Sequence, residues 1–335
     1  MVSLLYTILI VLLVLLACII LFLFLKVIQL MIGRRRVSIE LDGKRYESFP
    51  SPGFVKSLSI LPVIDYYSSN RELKTEAGVS YLIKADDTSI MMDVGYNARR
   101  EHPSALLHNM RVLGKNISDI DMIFISHIHL DHVGGMREQR EKTFSLSQGS
   151  VDIGSIPVYA PGRLNPSRWN PDPLVEEIRE PRIIMPGIAS IGIIQRFLFM
   201  AGYIEEQSLA INVKGKGVVL IIGCGHQTIE RIIERTRMLF TEPIYAIIGG
   251  LHLPVNGGRI MIGPLNLQGI VGSDRTPFRG VNEKDVARAI EVIKREDVRL
   301  VSLSPHDSSD WSIDRFKDAF KERYIHLRIG EEIGI

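Results

Sequence analysis

Three imidazoles and a carboxylate fall within six residues of this chain, in the stretch Ser126-His127-Ile128-His129-Leu130-Asp131-His132-Val133-Gly134-Gly135. The largely apolar run Ile120–Ile125 comes directly before them. A buried strand ending in a polar loop would hold these side chains together in a fixed, partly dry place. His127 and His129 are two apart and face the same way on an extended backbone. Asp131 and His132 lie just beyond and reach a second point. Neutral imidazole and carboxylate suit zinc, iron or manganese. Two half-sites side by side predict a dinuclear centre, with metals roughly 3.5–4 Å apart as in hydrolytic examples. Gly134 and Gly135 let the backbone pass close behind.

A histidine at the end of an apolar run recurs three more times. Gly217–Ile222 leads into Gly223-Cys224-Gly225-His226, Ile244–Ile248 into Gly249-Gly250-Leu251-His252, and Val298–Leu303 into Ser304-Pro305-His306. In layered α/β sheets ligand-binding residues gather at one edge of the strands, so His127, His226, His252 and His306 are expected to converge. His102, His108 and His326 lack the pattern and read as surface residues.

The elements that must position these residues are short apolar strands alternating with helices, which predicts an α/β layered fold. Leu58–Tyr67, Val79–Ile83, Ser89–Val94, Ile156–Ala160, Ile188–Phe199 and Ser208–Val213 read as strands beside those already named. Helical spacing predicts helices over Pro103–Leu113, Thr228–Phe240, Asn282–Arg295 and Trp311–Phe320. Pro161 to Pro186 holds six prolines and reads as a long loop flanking the site. Pro254–Gly280, rich in glycine and leaving directly from His252, reads as a lid.

The chain has 335 residues, 46% hydrophobic, with a formal net charge of +2. That balance gives no support for a nucleic-acid partner, whose phosphates would call for a basic face. Two cysteines, Cys18 and Cys224, exclude a disulfide framework and favour a reducing compartment. Val2 through Leu25 carries no charge and is long enough to cross a hydrocarbon core of ~30 Å. It lacks the basic start and short apolar region of a cleaved signal. Residues 2–32 are therefore expected to be an uncleaved transmembrane anchor and residues 33–53 a basic linker. Residues 54–335 follow as the catalytic domain. Arg34-Arg35-Arg36, on the C-terminal side of the anchor, predict a single-pass membrane protein with its soluble part in the cytoplasm.

The run His127-x-His129-x-Asp131-His132 resembles the metal-binding signature of the metallo-β-lactamase-fold superfamily. Asp93, in Met92-Asp93-Val94-Gly95, matches the superfamily's first motif, where the aspartate supports the site by hydrogen bonding. The clusters around Cys224, His252 and His306 resemble one subgroup, the metal-dependent hydrolases similar to archaeal dihydropterin ribofuranosylaminobenzene phosphate synthases, from about Leu58 to Leu327. The resemblance implies an αββα sandwich and two divalent cations, zinc first, with iron or manganese as alternatives. On that basis His127, His129 and His226 are assigned to one metal, and Asp131, His132 and His306 to the other. The resemblance expects a bridging aspartate where this chain has Cys224, which is either a ligand or a small buried thiol. His252 exchanges roles with His226 or His306, binds substrate, or is a satisfied histidine at a loop base.

The expected activity is hydrolysis of an ester, lactone or phosphoester on a small molecule, with a metal-activated hydroxide as nucleophile. Asp131 is expected to orient the nucleophile and His252 to protonate the leaving group. Two other readings stand beside it: a synthase working on a phosphoribosyl or pterin substrate, and a membrane-tethered metal-binding module without turnover. Arg163, Arg168, Arg275 and Arg279 are available to a phosphate, or are simply solvated.

Overall fold

The structure, a computed structural model, describes residues 2–263, 265–276 and 279–335. Gly217–Ile222 shows what drives its layering, because all six residues are buried. Successive side chains of a strand point to opposite faces. Val218, Leu220 and Ile222 pack with Ile229, Ile232, Val286 and Ile313 of the helices Ile229–Leu239, Glu283–Arg295 and Asp310–Phe320. Val219 and Ile221 pack the other way, against Ile60, Tyr81, Ile83 and Phe124 of a second sheet. A strand sandwiched on both faces reads as one continuous apolar run.

The second sheet has the order Ile333–Gly334, Leu58–Ile64, Ser80–Ala85, Thr88–Met92, Met122–Phe124, Pro157–Ala160 and Leu174–Glu177. Its outer face packs Leu61, Met91 and Ile123 against Leu106 and Met110 of the helix Ala105–Val112. Ser104 caps that helix by accepting from the Leu107 amide. The sheet carrying Gly217–Ile222 has the order Leu300–Leu303, Ile244–Gly249, Gly217–Ile222, Leu209–Val213, Ile188–Ser190 and Arg182–Met185. Helices thus cover both outer faces of two facing sheets, the αββα sandwich expected. Thr88–Met92 and Met122–Phe124 run parallel and end at Asp93 and at the histidine motif. Gly217–Ile222, Ile244–Gly249 and Leu300–Leu303 are also parallel, and their carboxyl ends carry Cys224 with His226, then His252, then His306.

Three segments differ from the sequence reading. The proline-rich stretch contains three strands: Asn165–Pro166, paired with Thr143–Phe144, and Leu174–Glu177 and Arg182–Met185, each at an edge of one of the two sheets. Pro173, Pro181 and Pro186 flank the latter two, and edge strands tolerate neighbouring prolines because one side needs no ladder partner. Ile188–Phe199 is two strands, broken at Gly192 with φ +73°, and the second, Ile194–Leu198, forms a hairpin with Gly202–Glu206. The lid segment holds a small hairpin, Met261–Ile262 with Leu265–Asn266, and a one-turn helix, Leu267–Val271; its Pro264, Pro277 and Phe278 lie outside the described residues.

The N-terminal helix runs unbroken from Val2 to Asp42, through residues 33–42 that were expected to form a linker. No stop signal precedes Gly43, and Leu30, Gly33 and Val37, spaced for one helical face, are all buried. A side chain at position 33 would overlap the Phe197 ring, which lies 2.2 Å from the place of its Cβ, so Gly33 lets the helix dock on the hairpin. Residues 3–22 are exposed throughout. The helix is long and apolar enough to cross a membrane.

Gly249 closes the strand Ile244–Gly249 with φ +117°, and a Cβ there would lie 2.0 Å from the Ile222 carbonyl oxygen of the neighbouring strand. Gly249→Ala must therefore both strain the backbone and separate the strands. It should cost about 3 kcal/mol and lower the thermal midpoint of the full chain in detergent by roughly 6–10 °C. An unchanged midpoint would contradict this account.

Candidate metal centre

His127, His129 and His226 bring one ring nitrogen each within 4.8 Å of one another. His127 Nε2 stands 3.0 Å from His129 Nδ1, and the His129 and His226 rings are 5.0 Å apart. Asp131, His132, Cys224 and His306 form a second such group. There Cys224 Sγ lies 3.1 Å from His132 Nε2 and 3.2 Å from His306 Nε2, and an Asp131 oxygen lies 3.6 Å from His132 Nε2. Cys224 also groups with His226 and His252. Its sulfur therefore stands between the two clusters, at the position where the resemblance expects a carboxylate. Every metal-ligating candidate read from the sequence meets here, with His252; Arg163 and Arg168 are exposed elsewhere, with Arg168 stacked on Trp169.

Tautomers follow from the groups behind the rings. Ser126 Oγ donates to Asp93 Oδ2 at 2.7 Å, so the His127 Nδ1–H, 3.0 Å away, donates to Ser126. His132 Nδ1–H donates to the same Asp93 oxygen at 2.7 Å. Ser304 Oγ donates to Asp65 at 2.6 Å and accepts from His306 Nδ1–H at 2.6 Å. His127 and His306 are each left with a bare Nε2 lone pair aimed inward, the arrangement a metal ligand needs, and His132 turns its Nε2 the same way.

The donor set fits divalent cations. Both ring nitrogens of His226 and of His252 are buried without a hydrogen-bond partner among the described residues, an unusual state for buried polar atoms. Burial pushes His127, His226 and His306 well below the ordinary imidazole range, and His129 and His252 down to about 4. They are thus neutral and able to coordinate. Burial also raises the Cys224 thiol well above its usual value, while a cation beside it would favour the thiolate. Burial opposes a charge on His132, but Cys224, Asp131 and Asp93 together outweigh it. A proton there serves the role a cation would fill.

Three supporting carboxylates escaped the sequence reading. Asp65 follows Leu58–Ile64 and sits behind His306 through Ser304; burial lifts it to about 7. Glu206, fully buried and also raised by burial to about 7, accepts from the amides of Cys224, Gly225 and His226 at 2.8–3.1 Å. It fixes the loop carrying two of the donors. Asp307 accepts from the His252 amide at 2.8 Å, holding that residue at φ +49°. Asp307 was legible as the neighbour of His306; Asp65 and Glu206 are each one acidic residue at a strand end, with no spacing to mark them.

Asp93 holds Ser126 and His132 together, so Asp93→Ala should release both rings. Metal affinity is expected to fall about 10–100-fold, measured by competition with a chromophoric chelator. Unchanged affinity would remove Asp93 from the site's support.

Residues 73–176 match the family model described as the metallo-beta-lactamase superfamily. The chain is 27% identical over 308 residues to the 7,8-dihydropterin-6-methyl-4-(beta-D-ribofuranosyl)-aminobenzene-5'-phosphate synthase of Methanocaldococcus jannaschii, covering 80% of this chain and 93% of that protein. A shorter similarity, 40% over 57 residues, links 17% of it to 20% of the anti-Pycsar protein Apyc1 of a Paenibacillus species. Among solved structures, Tm1679, described as a metal-dependent hydrolase of the beta-lactamase superfamily, superposes with a TM-score of 0.56 at 18% identity, over 83% of this chain and 99% of its own. The fold, the histidine motif and these likenesses agree: the chain has the metallo-β-lactamase fold, its residues 73–176 match that superfamily's model, and over most of its length it is similar to the dihydropterin ribofuranosylaminobenzene phosphate synthase.

Proposed function

We propose that this protein is a membrane-anchored, metal-dependent hydrolase of phosphoesters, holding one cation on His127, His129 and His226 and a second on Asp131, His132 and His306. Cys224 lies between the two. The observation that carries this reading is the pair of donor clusters, His127 with His129 and His226, and Asp131 with His132, Cys224 and His306, linked by the approach of Cys224 to His226, beside an open cavity of about 540 Å³ whose wall includes His226 and His252. Cations bound there supply Lewis acidity and water activation at neutral pH. Zinc suits the imidazole and sulfur donors best.

The protein's own groups divide the remaining tasks. Arg196 and Arg275 line the cavity, paired with Asp274 and Asp285 respectively, and their remaining N–H groups are available to a phosphate. Asp131 accepts a hydrogen bond from the attacking water and orients it. Water's oxygen bonds to phosphorus as the ester P–O bond breaks, its proton passes to solvent, and the departing alkoxide takes a proton from His252, which solvent then restores. Burial holds His252 near 4, so it carries that proton only once an anionic substrate is beside it. Gly272 belongs to the segment 254–280, and a Cβ there would lie 2.0 Å from His252 Nε2. That contact supports reading the segment as a cover over the site. Arg34, Arg35 and Arg36 follow the apolar span and favour a cytoplasmic soluble domain. A synthase reading draws on the similarity to the Methanocaldococcus jannaschii protein, which covers nearly that whole protein.

Elemental analysis of the full chain in detergent should give about two equivalents of divalent metal, falling sharply in the double variant His129→Ala, Asp131→Ala. No metal after purification and reconstitution under varied conditions would end the hydrolase reading. His252→Ala should keep both metals and lose about 10²–10⁴-fold in turnover on a phosphodiester panel. Loss of one metal equivalent would instead move His252 into the ligand set, and product formation only with a pterin and a phosphoribosyl donor would favour the synthase.

A further inference from the structure

The cavity beside His226 and His252 is walled on another side by the N-terminal helix, through Arg34, Val37 and Ser38. A second groove, about 1060 Å³, shares Arg34, Arg275 and Val281 with it and continues along Val27, Leu30 and Met31 of the same helix. The two form one path. It starts at the metal centre, crosses arginines, and ends on apolar side chains of a helix that continues without a break into the exposed apolar span. At ~1.5 Å per residue, Val2–Ile32 measures roughly 46 Å, close to the ~40–45 Å of a bilayer with its head groups. Arg34 would then stand at the head-group surface, and the groove below it within reach of lipid tails.

The charge along the path is unbalanced. Five arginines and three carboxylates line the inner cavity; Arg275 is paired with Asp285 and Arg288 with Glu230, which leaves Arg34, Arg196 and Arg231 to one carboxylate. Asp274 is shared by Arg196 at 2.8 Å and Arg34 at 3.9 Å, so one carboxylate answers two cations. Arg231 has no carboxylate within ion-pair distance among the described residues, and burial, then the charge of Arg196, push it below the ordinary guanidinium range. Such a belt wants an anion, and guanidinium groups match phosphate oxygens in geometry. An aqueous substrate would have no use for the apolar half of the path.

We infer that the substrate is an amphiphile with a phosphate-bearing head group, taken from the membrane leaflet next to the soluble domain. Its head reaches His226 and His252 across Arg34, Arg196 and Arg275, and its tail stays along Val27, Leu30 and Met31. The inference rests on the hydrolase reading for the fate of the head group, and not for how the amphiphile is bound.

The test uses the metal-stripped full chain in phosphatidylcholine nanodiscs carrying a photoactivatable phosphatidic acid, with labelled peptides mapped by mass spectrometry. Label is expected on residues 27–31 and 279–282. Unlabelled phosphatidic acid should compete for it and glycerol phosphate should not. Arg34→Glu and Met31→Trp, both at exposed positions, should each reduce that label at least fivefold, whereas Arg34→Lys should retain it. Label confined to residues 3–22 would overturn the inference, and so would equal competition by glycerol phosphate, which would mark an aqueous phosphate site. Turnover of metal-loaded protein is followed separately. Specific labelling without hydrolysis would leave this inference standing and remove the hydrolase reading; hydrolysis of soluble phosphodiesters without specific labelling would do the reverse.

Discussion

Lone pairs aimed at one another in a dry place are what the rest of this structure must hold still. Two clusters, one of imidazoles and one of imidazole, carboxylate and thiol, lie side by side, joined where Cys224 comes close to His226. Each buried polar atom without a partner costs about 1–3 kcal/mol, and four such nitrogens belong to His226 and His252 alone. Left to themselves, these rings would rotate toward water or one another. The fold prevents this by hanging every donor on the carboxyl end of a strand whose other residues are buried between layers. Behind the rings it sets a further set of acids, Asp93, Asp65, Glu206 and Asp307, each tied to a backbone amide, a hydroxyl or a ring N–H. The core's apolar burial offsets the cost of the site.

The two halves of the sandwich contribute in different ways. The first sheet delivers a contiguous motif on one loop, so spacing along the chain sets the geometry. The second delivers single residues from three parallel strands, so strand register sets it. Gly223 lets the loops of the two sheets approach, since a side chain there would lie 2.2 Å from Ser126 Oγ, while Gly249 and Gly250 do the same between neighbouring strands of one sheet, against Ile222 and Gly223. Close approach is what brings Cys224, from one sheet, within reach of His132, from the other.

Much of this was legible in the sequence, and the reasons differ by residue. His127, His129, Asp131 and His132 announce themselves because the chemistry is local. His226, His252 and His306 were found because each ends a continuous apolar run, the mark of a strand buried on both faces. Asp65 and Glu206 were not found, since their partners are 239 and about 20 residues away in sequence and an acidic residue after a strand is commonplace. The edge strands Leu174–Glu177 and Arg182–Met185 were hidden by prolines that only a central strand would refuse. The helix through residues 33–42 was hidden by alternation in Val37–Asp42, a pattern of period two that tertiary docking on Phe197 overrides.

The sulfur at position 224 gives the site a different temperament from one built on oxygen. A carboxylate between two cations is hard and chemically inert, and it tolerates magnesium or manganese as readily as heavier ions. Sulfur is soft; it ranks zinc and iron far above magnesium and ties the site to the redox state of its surroundings. Its oxidation to a sulfenic or sulfinic acid would change the group that faces His132 and His306 on one side and His226 and His252 on the other.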